Sequence, residues 1–137
     1  MIDEVIAYAE SHLWIPYIYG GKNYFGLDCS GFVCSVLKGF GMLGYHEELN
    51  AQQLFDRFQT TPRALQRGSL MFFGPSPSSI KHVAIATSPY SMIEAGGGDE
   101  TCIDMQTAMH KNACVRRRGT RSRIDLYCSV LPKFPWD

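Results

Sequence analysis

The sequence predicts an α+β fold in which N-terminal helices pack on an antiparallel β-sheet. Apolar residues recur at helical spacing through the first part of the chain. From about residue 70 they alternate with the period of two that half-buried strands require. Helices followed by a run of strands are typical of α+β domains.

Three helices are predicted in the first half of the chain. The first should stop before Pro16, and its apolar face consists of Ile2, Val5, Ile6, Ala9 and Leu13. The second begins at Cys29 and should end near Gly39 or Gly41, because glycine is a frequent C-cap. The third is a short packing helix, and Asn50 is expected to be its N-cap.

Five strands are predicted in the second half, at residues 70–73, 82–87, 91–95, 113–118 and 124–131. The turn at residues 88–90 lets two of them pair as a hairpin. This pairing would bring Glu94 alongside His82. The three glycines 96–98 end the hairpin, and a loop with a short helix at residues 107–111 is expected to follow.

Length and composition suit one domain over residues 1–137. A chain of 137 residues with 45% hydrophobic residues can bury about two thirds of its unfolded surface. Thirteen basic and thirteen acidic residues cancel, so no global charge favours nucleic acid or an anionic membrane. One local run is basic and is predicted to be a solvated strand edge or loop, or alternatively a contact for an anionic polymer. It consists of Arg116, Arg117, Arg118, Arg121 and Arg123.

Neither the cysteines nor the N-terminus indicates export by a secretion signal. The five cysteines are odd in number and form no C-x-x-C pair, so a zinc cage is not predicted and a reducing compartment fits better than a disulfide scaffold. Asp3 and Glu4 stand where a signal peptide carries bases, and no apolar run approaches the ~20 residues of a membrane span. We therefore expect synthesis in the cytoplasm without a signal peptide.

Cys29 is the predicted nucleophile. Gly20, Gly21 and Gly26 are expected to supply the unusual backbone angles of a tight turn before it. At a helix N-terminus, unpaired N–H groups and the helix dipole favour a thiolate and can lower the pKa of a cysteine. A buried structural cysteine is the alternative, but the preceding Asp28 and the double glycine favour the catalytic interpretation.

A thiol nucleophile needs a base, and the base needs a group that orients it. His82 is the best candidate base, because it opens a strand beside small residues. Glu94 could accept the other ring N–H and fix the tautomer of His82. The alternatives are a structural histidine and an exposed strand carboxylate.

These residues resemble the NlpC-type cell-wall cysteine peptidases (NlpC and its p-sixty relatives). The similar blocks cover most of the chain and occur in the family's usual order; they are residues 16–17, 20–21, 26–33, Gln52 or Gln53, 68–73 and 81–85. The resemblance implies a papain-like core with Cys29 as nucleophile and His82 as base. Residues 92–98 and 112–116 look most like phage or prophage members.

The resemblance also implies further site residues. Tyr17 matches a tyrosine that lines the oxyanion hole together with the backbone N–H of Cys29, although core packing is its alternative role. Asp28 and Ser30 match positions that support the site and contact substrate. No metal or organic cofactor is implied.

The implied reaction is hydrolysis of an amide bond in a peptidoglycan stem peptide, commonly the bond between D-glutamate, through its γ-carboxyl, and a diamino acid. The chain would act at the cell wall, carried by a phage particle or larger assembly or released at lysis, with no nucleic acid or membrane as partner. An amidase that cuts before L-alanine, an acyltransferase, and a non-catalytic wall-binding module are the alternatives.

Two positions depart from the family pattern. The third polar residue, twelve positions after the base (94 − 82 = 12), is most often histidine in the family and is Glu94 here. The block usually written Gly-Asp is Gly68-Ser69 here. A carboxylate can orient a histidine, so activity is still expected, and the carboxylate replaced by Ser69 is predicted to be structural.

Overall fold

The computed structural model describes residues 1–59 and 63–137. Its elements, in chain order, are α1 (Ile2–Glu10), β1 (Lys22–Asn23), β2 (Gly26–Leu27), α2 (Cys29–Gly39), α3 (Ala51–Phe58), β3 (Leu70–Phe73), β4 (His82–Ala86), β5 (Ser91–Gly96), α4 (Met105–Lys111), β6 (Cys114–Gly119) and β7 (Leu126–Val130). The predicted α+β class is confirmed. Within the described ranges, no helix is both long and apolar enough to span a membrane.

The five longer strands form one antiparallel sheet in the order β6-β5-β4-β3-β7. Its inner face carries large apolar side chains that join the main core, including Phe72, Val83 and Ile93. Its outer face carries a second buried cluster, namely Met71, Phe73, Ala84, Ala86 and Met92. The alternation predicted for β4 is therefore confirmed, with Ala84 and Ala86 on one face and Val83 and Ile85 on the other.

Helix α2 occupies the centre of the fold and packs against β4 and β5. Its buried side chains, Phe32, Val33, Cys34, Val36 and Leu37, are at most 2% exposed. Burial of one such side chain contributes about 1.5–3 kcal/mol, so this packing holds the start of α2 in place against the sheet.

Three expectations about local structure were wrong. Helix α1 ends at Glu10, one turn before Leu13, because residues 12 and 13 donate to carbonyls three rather than four positions back. Residues 22–27 form a small antiparallel hairpin that the sequence pattern did not indicate. Ile124 is fully exposed, and β7 begins two residues after it.

Of the three glycines before Cys29, only Gly20 has the unusual backbone angle that was expected. Gly20 has a positive φ of 74°. Gly21 and Gly26 instead serve close packing. A Cβ on Gly21 would lie 2.4 Å from the carbonyl oxygen of Gly26, and one on Gly26 would lie 2.2 Å from the side chain of Ile18.

Candidate active site

Asp28 connects the start of α2 to the glycine turn. As the N-cap, its Oδ1 accepts a hydrogen bond from the backbone N–H of Gly31 at 2.7 Å and one from the hydroxyl of Ser30 at 3.2 Å. Its Oδ2 accepts from the backbone N–H of Gly20 at 3.1 Å. These bonds tie the first turn of α2 to the glycine turn, while a contact of Asp28 or Ser30 with substrate stays a prediction.

Gly31 lets the glycine turn lie directly against the helix. A Cβ at this position would stand 2.1 Å from the carbonyl oxygen of Gly21, closer than any side chain tolerates. The same Gly21 oxygen accepts a hydrogen bond from the N–H of Asp28 at 3.2 Å. The residue after Ser30 must therefore be glycine for the turn to reach Cys29.

The thiol of Cys29 lies beside the start of β4. The thiol lies close to the backbone N–H groups of Ser30 and Val83, and Val83 directly follows His82. Burial, and secondarily the charge of Asp28, raise the pKa of Cys29 to about 11, against the weaker opposite effects of those N–H groups and of Arg123. The expected lowering of this pKa by the helix N-terminus was therefore wrong, because burial and a neighbouring carboxylate outweigh it.

His82 and Glu94 form a buried pair. The ring Nε2 of His82 lies 2.8 Å from Oε1 of Glu94, and the two residues are 6% and 3% exposed. The predicted hairpin between β4 and β5 thus brings the two side chains together. With Nε2 donating to the carboxylate, Nδ1 carries the free lone pair.

That second ring nitrogen is open. Over residues 1–59 and 63–137, Nδ1 of His82 has no hydrogen-bond partner, and it is not among the side-chain atoms sealed from solvent. It can therefore take a proton from a group that approaches it, and the next residue along β4, Val83, lies close to the thiol of Cys29.

Glu94 remains a carboxylate although it is buried. Burial raises its pKa, but His82 and Arg116 outweigh burial and bring the pKa to about 2. Arg116 is half-buried and donates to Oε2 of Glu94 from Nε at 3.2 Å and from Nη2 at 3.1 Å. The ionised carboxylate holds a protonated Nε2 better than a neutral acid would.

Tyr17 lines the same cleft as Cys29. Burial, followed by the charges of Cys29 and Asp28, raises the pKa of its hydroxyl, which therefore stays protonated and able to donate. Its backbone N–H donates to the carbonyl of Ala113 at 3.0 Å, and its carbonyl accepts from the thiol of Cys102 at 3.2 Å. These two bonds fix the backbone of Tyr17, whose hydroxyl lies at the cleft.

Two hydrogen-bond donors at the cleft are unoccupied. Among the described residues, neither the hydroxyl of Tyr17 nor the backbone N–H of Cys29 has a hydrogen-bond partner. The N–H belongs to the first turn of α2, where the helix leaves such groups unsatisfied. Together the two donors can bind an oxyanion formed next to the thiol.

The cleft itself has a volume of about 620 Å³. Its walls come from the glycine turn, the start of α2, the segment that enters α3 and the residues just before His82. They include Tyr17, Tyr19, Lys22, Asp28, Cys29, Ser30, Glu48, Gln52, Ile80 and Lys81. A cleft of this size and mixed polarity accommodates a short peptide.

The structure separates the two glutamines that the sequence left as alternatives. Gln53 closes a capping box with Asn50, so its side chain serves the start of α3. Gln52 instead binds the backbone of the loop before His82, at Pro77 and Ile80. The position of Gln52, one residue before Gln53, could not reveal this contact.

The arginine run is largely paired with carboxylates. It lies on the edge strand β6 and the turn after it, as predicted. Arg116 and Arg118 face Glu94, Arg117 pairs with Glu10, and Arg123 pairs with Asp125 and stacks over the ring of Phe73. The sequence did not indicate that Arg116 lies beside Glu94 or that Arg123 lies near Cys29, because these site residues are far from the arginines in the chain.

Ser69 and His12 are structural. Ser69 is fully buried and accepts a hydrogen bond from the N–H of Gln66 in the turn before β3. His12 lies in the core, where its Nδ1 is 2.7 Å from the carbonyl of Tyr8 and its Nε2 is 2.8 Å from the hydroxyl of Ser35. Neither residue lines the cleft.

The arrangement matches a known family of proteins. The model of the NlpC/P60 family matches residues 15–119. The chain belongs to the NlpC/P60 family. This membership confirms the family that the sequence blocks resembled.

Two similar relatives are named as peptidases. The γ-D-glutamyl-L-lysine dipeptidyl-peptidase of Bacillus cereus is 30% identical over 95 residues, which cover 68% of this chain and 28% of that protein. The peptidoglycan endopeptidase RipB of Mycobacterium tuberculosis is 29% identical over 109 residues, covering 70% of this chain and 44% of RipB. The chain thus spans less than half the length of these relatives.

Solved structures show the same fold. RipB superimposes with a TM-score of 0.72 and 22% identity, covering 97% of this chain and 65% of the RipB chain. RipD of Mycobacterium tuberculosis, described as a non-catalytic NlpC/p60 domain protein adapted to peptidoglycan binding, gives a TM-score of 0.66 at 20% identity and covers 95% of both chains. The predicted papain-like α+β fold is confirmed.

Proposed function

We propose that this chain, acting as one domain, is a cysteine peptidase that hydrolyses amide bonds in the stem peptides of peptidoglycan. One observation carries the proposal: the buried His82 has its Nε2 bound to Glu94 and its Nδ1 open, and the residue after it, Val83, lies close to the thiol of Cys29. The names of the NlpC/P60 relatives supply the substrate class, and the γ-D-glutamyl bond to a diamino acid is the proposed bond.

In the proposed mechanism, Nδ1 of His82 removes the proton of the Cys29 thiol, and the thiolate attacks the carbonyl carbon of the scissile amide. The backbone N–H of Cys29 and the hydroxyl of Tyr17 donate to the oxyanion of the tetrahedral intermediate. One such donor typically contributes ~2.7–4 kcal/mol. His82 then protonates the leaving amine, and a thioester remains on Cys29.

Deacylation uses the same residues in reverse. His82 takes a proton from water, and the resulting hydroxide attacks the thioester carbonyl. The C–S bond breaks, the product carboxylate leaves, and the proton returns to the thiolate. Glu94 keeps its hydrogen bond to Nε2 and stabilises the imidazolium in both half-reactions.

The high pKa of Cys29 is consistent with this mechanism. A thiol whose pKa burial raises is neutral when the cleft is empty, so it depends on His82 for deprotonation. We propose that attack is coupled to this proton transfer rather than to a thiolate that exists beforehand.

The proposal is tested by mass spectrometry of soluble products after the purified protein, under reducing conditions, is incubated with defined muropeptides and whole peptidoglycan. New fragments at the D-glutamyl bond are expected, and Cys29→Ala should produce none. Fragments cut between the sugar and L-alanine would replace the endopeptidase by an amidase. No cleavage by either protein would overturn the peptidase proposal.

A second candidate function is binding to peptidoglycan without catalysis. The fold shared with RipD, which is described as non-catalytic, favours it. It predicts binding to insoluble peptidoglycan that Cys29→Ala leaves unchanged, with no release of fragments. Delivery by a phage particle or at lysis stays a prediction.

A further inference from the structure

The side chain of Arg116 does more than neutralise the surface of an edge strand. We propose that Arg116 is a positioning residue that clamps Glu94, so that the carboxylate offers one oxygen to His82 in a fixed orientation. The inference rests on the proposed function of His82 as the base.

The hydrogen bonds divide the two oxygens of Glu94 between two partners. Oε1 lies 2.8 Å from Nε2 of His82. Oε2 accepts both hydrogen bonds from Arg116, at 3.2 Å and 3.1 Å. A carboxylate held by a guanidinium in this way cannot rotate without breaking two charge-assisted bonds.

The backbone leaves room for this clamp. A Cβ on Gly96 would lie 2.6 Å from Oε2 of Glu94 and 3.1 Å from Nη2 of Arg116. Gly97, at a φ of 88°, would place a Cβ 3.0 Å from Nη1 of the same arginine. Two consecutive glycines at the end of β5 therefore form the wall against which the pair Glu94 and Arg116 packs.

Register places the two residues opposite each other. Glu94 on β5 is the cross-strand partner of Arg116 on β6, where opposite charges attract at short range. Arg118, two residues further along the same face, is 3.9 Å from Oε2 and too distant for a hydrogen bond. Arg116 alone on β6 therefore has the geometry to orient the carboxylate.

Every charge that faces the pair affects its protonation. His82 and Glu94 face each other on β4 and β5, Arg116 and Arg118 face Glu94 from β6, and Arg123 and Asp125 act on the pair from the segment before β7. Loss of the positive charge of Arg116 should leave His82 as the main partner of the Glu94 carboxylate. This change should favour the imidazolium form of His82.

The test is long-range proton–nitrogen NMR of the histidine side chains, combined with pH profiles of kcat/KM on a muropeptide. In the intact protein, neutral His82 should be protonated at Nε2. In Arg116→Gln we expect the acidic limb of the profile to move up by about one pH unit, because the proposed base must be neutral to act and loss of the cation favours its protonated form. We also expect kcat to fall about tenfold or more, because the base is less well oriented.

Arg116→Lys separates charge from orientation. Lysine keeps the cation but cannot donate from a fork, so the acidic limb of the profile should stay and kcat should still fall. Arg117→Gln is the matched control: it lies on the same strand, faces away from Glu94 and pairs with Glu10, and should leave both readouts unchanged.

The outcomes are distinct from those for the proposed function. An unchanged tautomer and acidic limb in Arg116→Gln, or a loss of thermal stability alone, would overturn the clamp. Equal kcat for Arg116→Lys and the parent protein would also overturn it. If the parent protein cleaves nothing, the tautomer seen by NMR still decides about the clamp while the peptidase proposal fails by itself.

Discussion

Gln52 accepts a hydrogen bond from the backbone N–H of Ile80 at 2.8 Å. The same side chain donates to the carbonyl of Pro77 at 2.8 Å. Helix α3 thereby holds the loop between β3 and β4 at a point two residues before His82. The position of the base thus depends on a residue that lies thirty positions earlier in the chain (82 − 52 = 30).

Gln52→Ala is expected to lower kcat/KM for muropeptide hydrolysis by about ten- to a hundredfold, because a loosened loop misplaces His82. Gln53→Ala is the matched control. It removes the capping box at the start of α3 and should cost about 0.5–2 kcal/mol of stability without a comparable loss of rate. Steady-state kinetics and urea unfolding measure the two effects. Similar kinetics for the two variants would contradict this role of Gln52.

Tyr17→Phe should reduce kcat by about 10²–10³-fold, since it removes one donor of the oxyanion hole. The free energy of unfolding should change little, because the hydroxyl has no hydrogen-bond partner among residues 1–59 and 63–137. Tyr19→Phe, an exposed neighbour in the same cleft, serves as the control and should keep its rate. If the kcat of Tyr17→Phe stays within about threefold of the parent value, Tyr17 contributes to packing alone.

Much of this architecture could be predicted from local patterns. The helix that starts at Cys29, its N-cap Asp28 and the strand pair that brings Glu94 to His82 depend on spacing and turn residues within about 15 positions. Such features are visible in a sequence because the interacting residues share one element or one hairpin.

Contacts between distant elements were not predictable in the same way. Nothing near Arg116 in the chain indicates that it meets Glu94, and the run of arginines suggested a solvated edge. The three glycines 96–98 at the end of β5 were interpreted only as a strand end, whereas a Cβ on Gly98 would lie 2.3 Å from the ring of Tyr17. The pKa of Cys29 was misjudged because burial depends on the whole fold, and the helix dipole is only one local contribution.

The thiol should respond to Asp28 through charge. Asp28→Asn keeps a good N-cap but removes the negative charge that helps raise the pKa of Cys29, so the pH at which the thiol becomes reactive should fall. Asp28→Ala should lower that pH as well and, in addition, cost about 0.5–2 kcal/mol of stability. The rate of alkylation by iodoacetamide, followed from pH 6 to 11 on a His82→Ala background, measures this thiol without its base. If the proteins with Asp28 and with Asp28→Asn show the same pH dependence, burial alone sets the pKa of Cys29.

Stability should fall between pH 7 and pH 5 because of His12. Burial lowers the pKa of His12, so the folded state keeps this ring neutral while the unfolded chain takes up a proton below about pH 6.5. The stabilisation is therefore complete above pH 6.5 and is lost as the pH falls below it. Glu94, whose pKa is lowered to about 2, affects stability only at more acidic pH, between about 4.5 and 2.

Urea unfolding of His12→Gln at pH 7, 6 and 5 isolates this contribution. At pH 7 the variant should lose about 1–3 kcal/mol, because buried partners at Tyr8 and Ser35 lose their hydrogen bonds. Its free energy of unfolding should then fall less steeply toward pH 5 than that of the parent protein. His110→Gln, at an exposed position on α4, should retain the parent slope. If both variants keep that slope, His12 does not couple folding to pH, and the buried ring must accept a proton without loss of its contacts.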